Sequence, residues 1–320
     1  MGAYLRLLRP PQWIKNVFVF AGVAFGNKLL GPDGVLWDSV LVAWLAFIAF
    51  CAASSVTYIL NDIVDREQDR LHPTKSKRPL ASGEVTVPAA IGLAVTLLAA
   101  MGLVLVFGLG DRPVCGGIIV GYLALNLFYS FAAKRVIILD VITIAVGFVL
   151  RAYAGAEAVD VFVSPWLIVC TFTLCLFLGF GKRRCELAVI GDDSDAAKHR
   201  PTLAEYTPEV LTTGLNISAG LAIVTFLLYT VDPLPPAPFD KAKLMYTLPL
   251  VVYGIFRYLM LIGSGRITGP TDVIIRDRPF LLTVLIWVLV AQMIVLNTKP
   301  PPTDAGLDAR PVVVDPSAAR

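Results

Sequence analysis

The sequence predicts an all-α integral membrane protein with about nine transmembrane helices, and three observations carry that prediction. Of 320 residues, 57% are hydrophobic and 16% are charged, whereas soluble domains are about 45–50% apolar. The apolar residues fall in blocks of about 20, the length a helix needs to cross ~30 Å of hydrocarbon. Basic residues gather in alternate connections between those blocks. A water-soluble enzyme is excluded, and a formal charge of +3 is too small to point to nucleic acid.

Taken in order, the apolar runs predict spans at 17–31, 39–60, 87–108, 114–133, 136–156, 161–181, 210–231, 244–263 and 280–297. The first is the weakest, since Asn27 and Lys28 interrupt it; without it the count is eight. Basic residues precede this run and no small-residue cleavage site follows it, which reads as a retained span rather than a signal peptide. With the N-terminus cytoplasmic, the leader and connections 61–86, 134–135, 182–209 and 264–279 hold 18 of the 27 Lys and Arg residues. That asymmetry places the N-terminus and the long loops on the cytoplasmic face of the cell (inner) membrane. Residues 1–297 form one polytopic domain, and 298–320, opening Thr298-Lys299-Pro300-Pro301-Pro302, are expected to be a disordered tail. Five cysteines, mostly within apolar runs and without a CxxC pair, read as small buried hydrophobes.

Chemistry concentrates where the second span leaves the membrane. Asn61-Asp62-Ile63-Val64-Asp65-Arg66-Glu67-Gln68-Asp69 continues that span with no breaker before Pro73, so the helix is expected to persist. Asp62, Asp65 and Asp69 then share one stripe with Asn61 a turn before Asp65. Like charges at a membrane boundary resist desolvation, and a divalent cation relieves this. Magnesium suits hard oxygen donors and keeps sites for substrate phosphate, so the three aspartates read as metal ligands and catalytic groups for a Mg²⁺–diphosphate. His72 is expected to be structural. Lys75 and Arg78, in the basic loop that follows, are candidates for phosphate oxygens, the lysine as a point charge and the arginine as a fork.

Further candidates sit at other cytoplasmic ends. After the sixth span, Lys182 and Glu186 are i, i+4 neighbours beside Arg183, placed to pair or to face one ligand. Asp140 lies inside an apolar span, where an isolated carboxylate normally has a partner; Lys134, another span or the ligand are open choices. Arg151 is expected to snorkel outward, and Arg257 to have a partner in the bundle.

The run Asn61-Asp62-x-x-Asp65-x-x-x-Asp69, followed by Arg78-Pro79-Leu80-x-Ser82-Gly83, resembles the first aspartate-rich motif of the UbiA superfamily of intramembrane prenyltransferases. The resemblance implies a ring of nine helices around a central cavity open to the cytoplasm and to lipid. Most of that superfamily has a second aspartate-rich motif after the sixth span; here Gly181-Lys182-Arg183-Arg184-Cys185-Glu186 carries one acid and three bases. With Arg9-Pro10-x-Gln12-Trp13-x-Lys15-Asn16, His72-Pro73-Thr74-Lys75 and Arg276-Asp277-Arg278, this pattern is similar to the decaprenyl-phosphate phosphoribosyltransferase branch. Arg184-Cys185 replaces the Tyr-Ala common there. The resemblance implies Mg²⁺-dependent transfer of 5-phosphoribose from phosphoribosyl pyrophosphate (PRPP) to a polyprenyl phosphate, toward the arabinose donor for the cell wall. It adds Lys15, Asn16, Arg276 and Arg278 to the expected substrate contacts. A homo-oligomer is compatible with the sequence.

Such a transfer develops positive charge on the ribose C1 while pyrophosphate departs, and a lipid phosphate, with a second pKa near ~6, is already largely ionised. No His or Cys nucleophile is needed. The alternatives are a prenyltransferase of the same fold acting on an aromatic acceptor, which two spaced aspartates after the sixth span would favour, and a cation transporter, which would carry acids along its spans.

Overall fold

A computed structural model describes residues 2–31, 34–71, 75–190, 205–233, 237–263, 273 and 276–299, with side chains excepted at 189 and 190. His72 and the expected tail beyond residue 299 lie outside the described residues. The helices are α1 (Gly2–Leu8), α2 (Ala21–Phe25), α3 (Trp37–Val64), α4 (Arg66–Leu71), α5 (Val87–Leu103), α6 (Pro113–Phe131), α7 (Leu139–Ala158), α8 (Pro165–Ile190), α9 (Pro208–Val231), α10 (Leu248–Gly263) and α11 (Arg278–Asn297). A two-stranded hairpin pairs Leu30 with Val35 in the first connection.

Local chemistry sets where the crossings begin. Proline occupies the first or second position of α5, α6, α9 and α11, where its missing N–H breaks no helical bond. Thr86, Thr207 and Asp277 stand one residue earlier, and their side chains accept the N–H groups of Ala89, Val210 and Phe280. Eight helices among the described residues are long and apolar enough to cross a membrane.

The expected span at 17–31 is built differently. Pro10–Phe20 is a 3-10 helix of 11 residues that runs into α2. At ~2.0 Å per residue in the first part and ~1.5 Å in the second, this stretch extends roughly 30 Å. It packs backbone to backbone on α7: a Cβ added to Gly155 would meet the Val19 carbonyl oxygen at 1.8 Å.

Successive helices close a ring. α3 packs on α5 and α6, α6 on α7, α7 on α8, and the order continues through α9 and α10 to α11. Gln292 of α11 then donates to the Ala24 carbonyl of α2 at 3.1 Å. One apolar core joins the 3-10 segment, α3, α6 and α7 through Val19, Phe50, Ile119 and Ala154. A second joins α7 to α8, α9 and α10 through Val141, Phe177, Leu211 and Tyr258. α7 belongs to both. Outward-facing Trp37, Phe107 and Leu289 are left exposed, as lipid-facing side chains must be when hydrocarbon replaces water.

Candidate active site

The acidic helix end forms a buried polar cluster on the side that the sequence predicts to be cytoplasmic. α3 does not continue unbroken. Asp65 departs from helical geometry (φ −87°, ψ 4°), and α4 resumes at Arg66. Backbone bonds run through the kink, from Asp65 N–H to Asn61 O at 2.9 Å and from Asp69 N–H to Asp65 O at 2.8 Å. The consequence is electrostatic, because the three carboxylates no longer share one partner set. Asp62 and Asp69, each 2% exposed, converge on Arg78, whose Nη1 donates to Asp62 Oδ1 at 3.1 Å and Asp69 Oδ2 at 2.6 Å. Asp65 faces Lys134, 3.5 Å away.

Two more cations complete the first cluster. Lys75 Nζ lies 3.8 Å from Asp69 Oδ1, and Arg9 Nη2 donates to Asp62 Oδ1 at 2.5 Å. Arg9 holds a left-handed backbone (φ 55°) immediately before Pro10, a conformation that persists only where surroundings enforce it. Its guanidinium also stacks 4.9 Å over the Tyr58 ring. Arg9 was legible only as part of the motif that opens the chain. Nothing in its spacing marked it as a partner of Asp62.

The connection between α6 and α7 links this cluster to a second. Lys134 and Asp140 do not pair with each other: Lys134 reaches back to Asp65, while Asp140 Oδ2 accepts from Arg183 Nε at 2.7 Å. A six-residue gap across a helix start sends the two side chains to opposite clusters. Arg183 also donates to Glu186 Oε2 at 2.5 Å and to the Tyr129 hydroxyl at 3.4 Å, so this arginine is held between two carboxylates. Lys182 stands 3.8 Å from Glu186 at the expected i, i+4 spacing and is the more exposed of the two bases. Tyr206, which no sequence signal singled out, donates to Asp140 Oδ1 at 2.6 Å. Its oxygen accepts the Ile138 N–H at 2.5 Å, where Ile138 is held at φ 67°. Burial, and then the bond to Asp140, push the Tyr206 hydroxyl well above its ordinary pKa, so it stays a donor at physiological pH.

The remaining expected contacts divide. Asn61 is half-buried beside Asp62. Asn16 is fully buried, its amide directed to Cys51 and Ser54 and its carbonyl accepting from Arg151 Nε at 2.8 Å; among the described residues it joins neither cluster. Lys15, next to it, is half-buried and has no ion-pair partner among the described residues. Arg276 and Arg278 are exposed and join neither cluster among the described residues. Arg257 does find a partner: Asp277 takes both its Nε (3.1 Å) and Nη2 (2.7 Å). The guanidinium hydrogen bonds hold the Asp277 carboxyl below its ordinary pKa of 3.8. Arg151 does not snorkel outward. It is 7% exposed and turns back to the Gly147 carbonyl at 2.8 Å.

The donor set fits a divalent cation at Asp62 and Asp69. Two buried carboxylates already share a single cationic nitrogen, the arrangement a metal ion requires, and magnesium is commonly held by one or two carboxylates with phosphate completing its shell. Among the described residues no three acid, histidine or cysteine side chains converge, so Asp65 stands apart from the expected trio.

Comparison with known proteins agrees with this architecture. Residues 17–274 match the UbiA prenyltransferase family. The decaprenyl-phosphate phosphoribosyltransferase of Corynebacterium glutamicum is 32% identical over 91% of this chain and 86% of its own length. That of Mycobacterium tuberculosis is 30% identical over 89% and 91%. A UbiA homologue from Archaeoglobus fulgidus, solved with GPP and Mg²⁺, superposes with a TM-score of 0.64 at 21% identity, covering 92% of this chain and 99% of that one. An all-α membrane bundle with paired carboxylates at the end of α3, and this match over most of its length, make the chain a member of the UbiA prenyltransferase family.

Proposed function

We propose that the chain transfers 5-phosphoribose from PRPP to a polyprenyl phosphate, releasing pyrophosphate, on the cytoplasmic face of the cell membrane. The product is a lipid-linked pentose phosphate suited to making an arabinose donor for the cell wall. The observation that supports this reading over prenyl transfer is the state of the acids at the end of α8. Glu186 and the neighbouring Asp140 are both bonded to Arg183, at 2.5 and 2.7 Å. Among the described residues these two acids meet different nitrogens of Arg183, whereas Asp62 and Asp69 meet the single Arg78 Nη1, so a second pair gathered for one cation, as a prenyl diphosphate would favour, is not formed by them. The relatives named as decaprenyl-phosphate phosphoribosyltransferases support the same choice of donor and acceptor.

In the proposed reaction an oxygen of the lipid phosphate forms a bond to ribose C1 as the bond from C1 to the pyrophosphate oxygen breaks. The leaving pyrophosphate carries away the electron pair. Bound magnesium supplies charge neutralisation for that leaving group. The protein's own part is positioning and preorganised charge. Asp62 and Asp69 would hold the metal, and Arg78 and Lys75 beside them take pyrophosphate oxygens. Lys134 and Asp65 form the adjoining wall, and Lys182 presents a further ammonium. The acceptor is already ionised, so no side chain has to remove a proton first.

The test is an assay of the purified protein in lipid with labelled PRPP and a polyprenyl phosphate. Lipid-linked label that requires magnesium supports the reading. Turnover of a prenyl diphosphate with an aromatic acid, and none of PRPP, replaces it with the prenyltransferase alternative.

A further inference from the structure

Arg151 is the one guanidinium buried in the described part of α7, and among the described residues no carboxylate meets its charge. Its hydrogen-bond partners are neutral: the Asn16 carbonyl oxygen at 2.8 Å, the Gly147 carbonyl at 2.8 Å and the Tyr122 hydroxyl at 2.5 Å. The rings of Tyr122 and Phe148 lie 4.5 and 5.0 Å from it. An arginine keeps its proton in any protein environment and carries five N–H donors. Three are used, leaving one on each terminal nitrogen, the spacing that forks onto an oxyanion. Buried charge without a counter-ion is normally paired or functional.

Other cations make the surroundings more positive still. Lys15 feels Arg151, Lys182 and Arg9 as its charged neighbours, and lacks an ion-pair partner among the described residues. Depth follows from α3. Ser54, Tyr58 and Asp62 are successive residues of one stripe, and Ser54 Oγ meets the Tyr122 hydroxyl at 3.1 Å. The Arg151 head is therefore level with Ser54, two turns or roughly 12 Å below Asp62. That separation is comparable with a ribose bearing phosphate at both ends.

We propose that Arg151, with Lys15 next to its partner Asn16, is the seat of a phosphate monoester two helical turns below Asp62. The proposal rests on the phosphoribosyl-transfer reading for its two sources, the 5-phosphate of the donor and the phosphate of the lipid acceptor. In either case the neutral partners keep the guanidinium in place, and the substrate brings the missing negative charge.

The experiment measures ligand-induced shifts of the thermal unfolding midpoint for the wild type, Arg151→Gln, Arg151→Lys and Lys15→Gln in lipid nanodiscs. The probes are ribose 5-phosphate against ribose, and farnesyl phosphate against farnesol, with KM for PRPP and for polyprenyl phosphate read alongside. One monoester is expected to raise the wild-type midpoint where its dephosphorylated counterpart does not. Arg151→Gln then removes that shift and raises KM for the matching substrate about tenfold or more. Arg151→Lys retains part of it, and the other KM stays unchanged. Dependence on ribose 5-phosphate assigns the seat to the donor, and dependence on farnesyl phosphate assigns it to the acceptor. If Arg151→Gln does not fold, Lys15→Gln must weaken the same shift. A shift that survives Arg151→Gln, or Lys15→Gln where that variant stands in for it, overturns the proposal and leaves Arg151 as a structural knot. Wild-type protein that shows the Arg151-dependent shift but never turns over PRPP upholds the seat and sinks the reaction instead.

Discussion

Arg78 bridges Asp62 and Asp69 through a single nitrogen, so each aspartate variant disturbs charge on both sides. Asp62→Asn would remove one of the carboxylates proposed to hold the metal, and leaves Arg9 and Arg78 sharing a neutral amide. Product formation is expected to fall about 10²–10³-fold with the unfolding midpoint little changed, and wild-type turnover in this variant would remove Asp62 from the site. Asp65→Ala takes from Lys134 the carboxylate 3.5 Å away and should nearly abolish turnover in the same assay; unchanged activity would confine Asp65 to charge balance. The pair of Arg257 and Asp277 makes a different kind of prediction. Its guanidinium lowers the Asp277 carboxyl pKa in the folded protein, so the stabilisation is complete above the unfolded value of ~3.9 and is lost as pH falls through the folded value. The midpoint difference between wild type and Asp277→Asn should therefore be constant near neutrality and shrink below about pH 4. The pair is partly exposed, at 27% and 11% of its side chains, which keeps the whole effect modest.

At the scale of elements, two contacts carry the geometry between the clusters. The first is the approach of the 3-10 segment to α7. At Gly155 a Cβ would lie 1.8 Å from a backbone oxygen, an atom that cannot swing aside. Gly155→Leu is expected to force the two elements apart and destabilise the protein by about 1–3 kcal/mol or more. Because Asn16 and Arg151 bond across the same interface at 2.8 Å, the loss should appear together with weaker monoester protection. The second is Tyr206, which ties the approach to α9 to the start of α7. Tyr206→Phe leaves the Ile138 N–H and one Asp140 oxygen without this partner, at a cost of ~1–3 kcal/mol read in thermal unfolding. An unchanged midpoint would mean that solvent replaces the hydroxyl.

For the whole molecule, the order of crossings fixes sidedness. Five helices, α5 to α9, separate Lys77 from Lys243, and an odd number of crossings puts them on opposite faces. Lys77→Cys should react with a membrane-impermeant maleimide from the cytoplasmic face and Lys243→Cys from the other. The native background is low, since four of the five cysteines are buried. Labelling of both from one side would break the topology and, with it, the cytoplasmic placement of the acidic cluster.

The amino-acid sequence by itself determined the membrane class, the approximate spans and the residues of the acidic helix end. Hydrophobic run length, positive charge bias and helical spacing are local quantities, and they need no knowledge of neighbours. The form of the first predicted span, 17–31, was not legible, because run length does not reveal that Pro10–Phe20 adopts a 3-10 helix running into α2. Tertiary structure alone decided the partners. It sent Lys134 to Asp65 and Asp140 to Arg183, brought Arg9 and Tyr206 to the clusters, and turned Arg151 inward. Pairings between residues tens of positions apart depend on which helix faces meet. In a membrane every span is apolar enough to meet several others, so only the assembled ring distinguishes them.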